Sequence, residues 1–275
     1  VNINLTAYKK KYIMASSTNK VVFNAHQLKN VISILKSLYN EVNFVFTYDL
    51  LTITVVDTSK MCAFHAALTP KQPMPEEDSF LHVFGILLPN LYTFLRSSKR
   101  TDNVAFSFNE DFNKLFITLS DPSCDDIVTK SCVLNNIIIP VVNMIIPYES
   151  YIAKAELSYT TFHAIISAIS AFSNTFKLAL GKEEVAFSSG RQQTDAITYR
   201  ISSNQLELDF KGNSELLQEY NEYESKYMNN FLKKKISDML SVSSSEDGTL
   251  LVQFKSTDGE FSILLSPIQS EEMTS

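Results

Sequence analysis

Glycine is scarce in this chain, six residues in 275, and none of them cluster. That excludes a GxGxxG dinucleotide turn, a phosphate loop and a GxSxG nucleophile elbow, each of which needs glycine for close backbone approach. Cysteine is as sparse: Cys62, Cys124 and Cys132 form no CxxC pair, and an odd, scattered set fits a reducing compartment rather than a disulfide scaffold. Four histidines, His26, His65, His82 and His163, stand without Cys, Asp or Glu at metal-ligand spacing, so neither a metal nor another cofactor is expected. Proline is low at eight residues, and an apolar share of 45% against 20% charged argues against long disordered stretches. The longest apolar run, 80–95, is interrupted by His82, Pro89 and Asn90 and is too short to span a bilayer. The opening VNINLTAYKKKY lacks the apolar run of a secretory signal and an initiating Met, so the start reads as trimmed and its Asn4-Leu5-Thr6 sequon as chance. Asp57 and Asp111 are the one carboxylate pair to weigh for catalysis, but Asp57 sits in a turn segment where such residues cap backbone amides, and the chain is not expected to be an enzyme.

What is present is a duplication. Leu28, Val31, Ile32, Leu35 and Leu38 recur 134 residues later as Phe162, Ile165, Ile166, Ile169 and Phe172. The same offset carries Val42, Phe44 and Phe46 onto Phe176, Leu178 and Leu180, and Leu51 and Ile53 onto Val185 and Phe187. The spacing changes from helical to alternating at the same point in both copies. A period of half the chain is too long for a solenoid and predicts two like domains.

In the first half the pattern predicts a strand at 21–23, a helix at 27–40, strands at 41–47, 51–57, 61–68 and 80–87, a helix at 89–98, and strands at 103–108, 114–120 and 127–134. The second half repeats this order with strands at 152–157, 175–180, 184–189, 196–202, 206–210, 239–243, 250–255 and 261–265, and helices at 160–172 and 225–235. Leu91, Phe94 and Leu95 correspond to Met228, Phe231 and Leu232 at an offset of 137. The expectation is an α+β protein: residues 1–20 an extension, 21–136 a first domain, 137–150 a connector, and 151–275 a second domain with a short acidic tail. Each domain places two helices on mostly antiparallel sheet.

The net charge of −6 argues against a polyanionic partner until its distribution is considered. Acid gathers in Glu76-Glu77-Asp78, Asp125-Asp126, 215–224 and Glu271-Glu272, all read as loop, linker or tail, while cations sit on helices. Lys29 and Lys36 stand opposite the core stripe of the first helix, and Lys226 and Lys233 repeat that seven-residue separation on the fourth. Arg96, Lys99 and Arg100 end the second, whereas the third offers only His163, Ser167, Ser170 and Asn174. Spaced point charges without an Asn/Arg constellation suit phosphate contact without base readout; the plainer reading is solvated helix faces.

Three motifs then carry a resemblance. Asp57-Thr58-Ser59-Lys60-Met61 resembles the Asp-Ser-Ser-His-Val segment of the PCNA family of DNA sliding clamps. Ile146-Pro147-Tyr148-Glu149-Ser150-Tyr151 is similar to the Ile-Pro-x-x-x-Tyr that ends the clamp's interdomain connector, and Leu264-Leu265-Ser266-Pro267-Ile268 to its C-terminal Tyr-Leu-Ala-Pro-Lys-Ile, followed in both by an acidic tail. With the duplication, the likeness spans Val21 to Glu272. It implies a sliding-clamp fold: a homotrimeric ring, intracellular at a nuclear or cytoplasmic replication site, that encircles double-stranded DNA without reading sequence. It also implies a groove that takes short peptides from DNA polymerase and other replication or repair factors, with a clamp loader as a further partner.

Carried over by motif, the groove residues are Val56, Met61, Ala63, Met144, Ile146, Pro147, Tyr151, Leu264, Ser266 and Pro267, and Lys29, Lys36, Arg96, Lys99, Arg100, Lys226 and Lys233 face DNA. The seam pairs the strand of Val128 and Lys130 with that of Ile197 and Tyr199 in the next subunit. Departures point to a diverged member, with a virus as one candidate source: Lys9-Lys10-Lys11 precede the usual start, the third helix lacks cations, and the connector is unusually apolar, so that it either packs down or holds a partner of its own. The rival readings are a clamp-fold DNA-binding protein that is no homotrimeric ring (a checkpoint-clamp-like subunit, a herpesvirus-like processivity factor or a viral transcription factor) and a nuclease or repair enzyme using Asp57 and Asp111.

Overall fold

The computed structural model describes residues 20–73, 81–109, 111–124, 127–141, 151–181, 183–189, 196–202, 207–210 and 221–268. Lys9 to Lys11, Glu76 to Asp78, Asp125, Asp126, the connector from 142 to 150, the acidic stretch 211–220 and the Glu271-Glu272 tail lie outside them. The chain forms two compact units, one of Val1–Ile53, Ala66–Val141 and Thr257–Gly259, the other of Thr54–His65, Val142–Ser256 and Glu260–Ser275. Among the described residues no helix is long and apolar enough to cross a membrane.

In the first half β1 (Lys20–Asn24) leads into α1 (Ala25–Leu35), and β2 (Glu41–Phe46), β3 (Leu51–Val56), β4 (Cys62–Leu68) and β5 (His82–Leu87) follow. α2 (Leu88–Leu95), β6 (Asn103–Phe108), β7 (Lys114–Asp121) and β8 (Ile127–Asn135) complete it. One sheet runs β1-β6-β7-β8 and another β4-β3-β2-β5, with antiparallel registers such as Phe44 opposite Phe84. Asn24 starts α1 by accepting from the amides of His26 and Gln27 at 3.0 and 3.1 Å, two donors the helix leaves unpaired. The predicted stripe Leu28, Val31, Ile32 and Leu35 is buried against the sheets, where Phe106 meets Phe23, Phe44 and Phe46 at centroid distances of 5.9, 6.4 and 5.5 Å. Each such ring contributes about 2–3 kcal/mol by burial.

The second half contains β9 (Tyr151–Ser158), α3 (Tyr159–Ser170), β10 (Thr175–Leu180), β11 (Glu184–Ser189), β12 (Thr198–Ser202), β13 (Glu207–Phe210), β14 (Asn221–Glu224), α4 (Ser225–Phe231), β15 (Met239–Ser245), β16 (Leu250–Ser256) and β17 (Gly259–Leu265). Its sheets run β12-β11-β10-β14 and β13-β9-β15-β16-β17, the latter continuing to the start of β4. Phe231 stacks on Phe254 and Phe261, both at 5.0 Å, in the core beneath α4.

The duplication extends to the hydrogen-bond pattern. β1 pairs β6 as β9 pairs β15, β2 pairs β5 as β10 pairs β14, and β2 pairs β3 as β10 pairs β11. The bridge between Val22 and Gln72 corresponds to the β9–β13 pairing. The chain is thus an α+β protein of two like halves with four helices among the described residues, most of its sheet antiparallel.

The structure corrects several expectations. All four helices end two to five residues earlier than expected. After Leu35, for example, Ser37 and Leu38 reach back three residues to Ile34 and Leu35, so the apolar period outlasts the α-helix. Phe172, expected in the core, is 58% exposed because α3 stops at Ser170. The end of the acidic, Tyr-rich stretch is a strand rather than a loop: Asn221–Glu224 pairs β10.

Beyond β8 the first residues of the connector are pinned to β5. Ile137 N donates to Gly85 O at 3.2 Å, Gly85 N donates to Asn136 Oδ1 at 2.8 Å, and Asn43 Nδ2 donates to the carbonyls of Ile139 and Pro140 at 3.1 Å each. A Cβ on Gly85 would lie 2.0 Å from Ile137 O, so glycine is required for the close approach. Gly85→Ala is expected to destabilise the protein by about 2 kcal/mol in urea titration and to expose 136–141 to protease; an unchanged midpoint would remove this role.

Candidate helix faces, apolar groove and open strand edges

Of the seven cations singled out, only Lys29 and Lys226 lie within helices; Lys36 caps α1, Arg96 caps α2, and Lys99, Arg100 and Lys233 lie beyond. Four are engaged within the protein. Lys29 Nζ donates to Ser98 O at 2.6 Å, Lys36 lies 3.5 Å above the Tyr92 ring centroid, and Lys99 bonds Asp121 at 3.1 Å. Lys226 pairs with Glu224 at 2.5 Å, an acceptor that raises its ammonium pKa, and lies 4.6 Å over Tyr227. Arg96, Arg100 and Lys233 are exposed. The Asp121 carboxyl is drawn down to about 2 by the hydroxyl and amide of Ser123 and by Lys99, so the Lys99 pair is intact throughout the neutral range.

The Asp57 segment is a tight turn. Asp57 N donates to Cys62 O and Lys60 N to Asp57 O, both at 2.8 Å, with Lys60 in the left-handed region at φ +59°. Asp57 Oδ2 accepts from Ser59 N at 3.2 Å, from the Ser59 hydroxyl, and from Tyr227 Oη at 2.6 Å. Burial pushes this carboxyl up, but the Ser59 and Tyr227 hydrogen bonds outweigh it and hold the pKa below the usual range. Tyr227 on α4 is therefore a tether between that helix and the turn. Sequence periodicity places its ring inward but gives no sign of the partner 170 residues away.

Of the groove residues, Ala63, Tyr151 and Leu264 form one apolar cluster with Leu251, and Val56 packs against it. Met61, Ser266 and Pro267 are half-buried, and Ser266 N donates to Met61 O at 3.0 Å. Met144, Ile146 and Pro147 lie outside the described residues. Leu251 was not among the expected residues; alternation along β16 places it on the same face as Gln253 and Lys255, so the pattern does not mark it as apolar core. Tyr151 brings a buried hydroxyl with no hydrogen-bond partner among the described residues, and burial raises its pKa to about 12.

The seam residues lie on two strands with no outer neighbour among the described residues, β8 and β12. Val128 faces Ser120 across β8 and β7. Lys130 donates to Phe94 O at 3.0 Å and lies 4.8 Å over that ring. Ile197, just before β12, exchanges bonds with Ser189 at 3.0 and 3.2 Å, and Tyr199 faces Phe187 on β11. No protein-family model matches this chain, and no curated protein does.

Tyr227→Phe removes a hydrogen bond to an ionised carboxylate and is expected to cost about 1 kcal/mol at neutral pH. Because the native pKa of Asp57 lies below its unfolded value, the bond's contribution is complete above the unfolded value, about 3.9, and is lost as pH falls through the native one. Urea titrations of wild type and variant should therefore differ at pH 7 and converge in acid; a gap that persists in acid would assign the cost to packing.

Proposed function

We propose that this chain is a DNA sliding clamp, a homotrimeric ring that encircles duplex DNA and tethers a DNA polymerase, among other factors, through an apolar peptide groove. The strand-pairing pattern carries this reading. In the second unit β17 takes the start of β4 as its outer neighbour. By the internal repeat, β8 is the counterpart of β17 and β12 the counterpart of β4. Those two counterparts end their sheets, as do β1, β5 and β14, but the latter three are met by Gln72, Ile137 and Ile268, and among the described residues only β8, β12 and the four-residue β13 have no such neighbour. A second copy can therefore give β8 through its own β12 the pairing that β17 already has, and head-to-tail contacts of this kind close into a ring when their rotation divides the full turn.

A nine-residue edge strand bearing the half-exposed Val133 is otherwise an aggregation template. The apolar cluster of Ala63, Tyr151 and Leu264, three of the residues carried over by motif, with Leu251 beside them, supports the groove. For DNA, the exposed Arg96, Arg100 and Lys233 are the charges most available to phosphate, since the other four would first exchange an internal partner.

Native mass spectrometry should give a trimer, and Tyr199→Asp or Val133→Asp should give monomers; a wild-type monomer or dimer would favour the non-ring clamp-fold reading. Arg96→Glu with Lys233→Glu should shorten retention on circular DNA and flatten its salt dependence by roughly one to two phosphate contacts, while leaving oligomer mass unchanged. Retention that is indifferent to both charges would oppose DNA encirclement through these faces.

A further inference from the structure

The outward face of the first unit's β1-β6-β7-β8 sheet carries an exposed apolar spot. Lys20 faces Ser107, Ser107 faces Phe116 and Phe116 faces Val133, so these four form one row across the sheet and point to one side of it. Leu115 and Ile117, the chain neighbours of Phe116, point to the other side and are fully buried in the core. In the row itself Phe116 is partly exposed and Val133 is 49% exposed.

The second unit has the same row and covers it. Lys154 faces Ser243 and Ser243 faces Leu251, matching Lys20, Ser107 and Phe116 in the repeat. Val133 corresponds to Leu264, because Ile137 N donates to Gly85 O four residues after the one as Ile268 N donates to Glu222 O four residues after the other. Leu251 and Leu264 are only 3% and 9% exposed. They lie in one cluster with Ala63 of β4 and with Tyr151, which stands three residues ahead of Lys154 at the start of β9. Part of the cover is therefore the chain that enters the row's first strand.

In the first unit the chain that enters that strand is the segment 1–19, which lies outside the described residues and ends at Lys20, the first member of the row. At the repeat offset the place of Tyr151 falls to Ser17, and Ala15-Ser16-Ser17-Thr18-Asn19 holds no large apolar side chain. The nearest apolar group upstream is Tyr12-Ile13-Met14, with Met14 six residues ahead of Lys20. From Lys20 to Val133 the row crosses three strand spacings, about 14 Å. Six extended residues reach about 20 Å, so Tyr12, Ile13 and Met14 can lie over Phe116 and Val133 without moving β1.

We propose that Tyr12, Ile13 and Met14 of this chain dock on Phe116 and Val133, so that the N-terminal segment does for the first unit what Tyr151 does for the second. Lys9-Lys10-Lys11 is then held on the outward sheet face, on the side away from the core that α1 and α2 cover. The docking does not rest on ring closure. It is compatible with it, since in the second unit Tyr151 and the neighbouring strand's Ala63 share one cluster.

Photocrosslinking of the full chain with benzoylphenylalanine substituted at Tyr12 tests it. After irradiation, peptide mass mapping should place the main crosslink on the β7 and β8 peptides that hold Phe116 and Val133, and on a denaturing gel the product should keep the mass of one chain. Phe116→Ser should lower the yield by about tenfold, and so should Ile13→Ser with Met14→Ser, which alters no residue of the sheet. A main crosslink on any other element, a product of doubled mass in which a second copy supplies the segment, a yield indifferent to both variants, or no crosslink at all would each overturn the proposal.

Discussion

Backbone groups on the edge of a sheet must find partners, and the organisation of this protein follows from where they find them. The outer edge of β1 is met by 71–72, with Lys71 N donating to Val22 O at 2.7 Å, and that of β5 is met by Ile137. The second half solves the same problems at the same places, with β13 beside β9 and Ile268 N donating to Glu222 O of β14 at 2.8 Å. Each half thus covers one edge with the chain that follows β4 or its counterpart β12, and the other with the chain that leaves its last strand, β8 or β17. β8 and β12 are the edges treated otherwise, and an assembly that pairs them completes a scheme already built into the fold.

The two halves share a frame but not a surface chemistry. In the first, long cations lie on aromatic rings or carbonyls, as Lys36 does on Tyr92 and Lys29 on Ser98. In the second, hydroxyls and amides occupy the matching sites, and Ser170 bonds Asn229 where Lys36 met Tyr92. Backbone pairing tolerates such exchange because main-chain hydrogen bonds do not depend on side-chain identity, whereas the helix faces carry no comparable constraint. On the clamp reading, the ring's two kinds of helix pair would hold DNA unequally.

Strands and the apolar stripes of helices were legible in the sequence because burial imposes a period, and Leu28, Val31, Phe162 and Ile166 obey it. Helix ends were not, since capping turns exchange four-residue for three-residue bonds without changing the apolar pattern. β14 escaped notice because Asn-Glu-Tyr-Glu buries only Tyr223; its strand character comes from the neighbour it pairs with, not from its own residues. The Asp57 segment was readable as a turn, but its bond to Tyr227 was not, because nothing local marks a contact between residues so distant in sequence. Ser225 at the place of the fully buried Leu88 was visible as a lost apolar volume only when the two copies were compared in three dimensions.

The division into units has a consequence for the order of events during synthesis. The first unit requires Thr257–Gly259, where Asp258 O accepts from Thr69 N at 2.9 Å, and the second requires Thr54–His65 from far upstream. Neither unit is complete on a ribosome until residues beyond Thr257 have emerged. Contacts of such sequence separation form slowly, so the sheet margins stay unpaired over that interval, when a nascent chain is most open to aggregation.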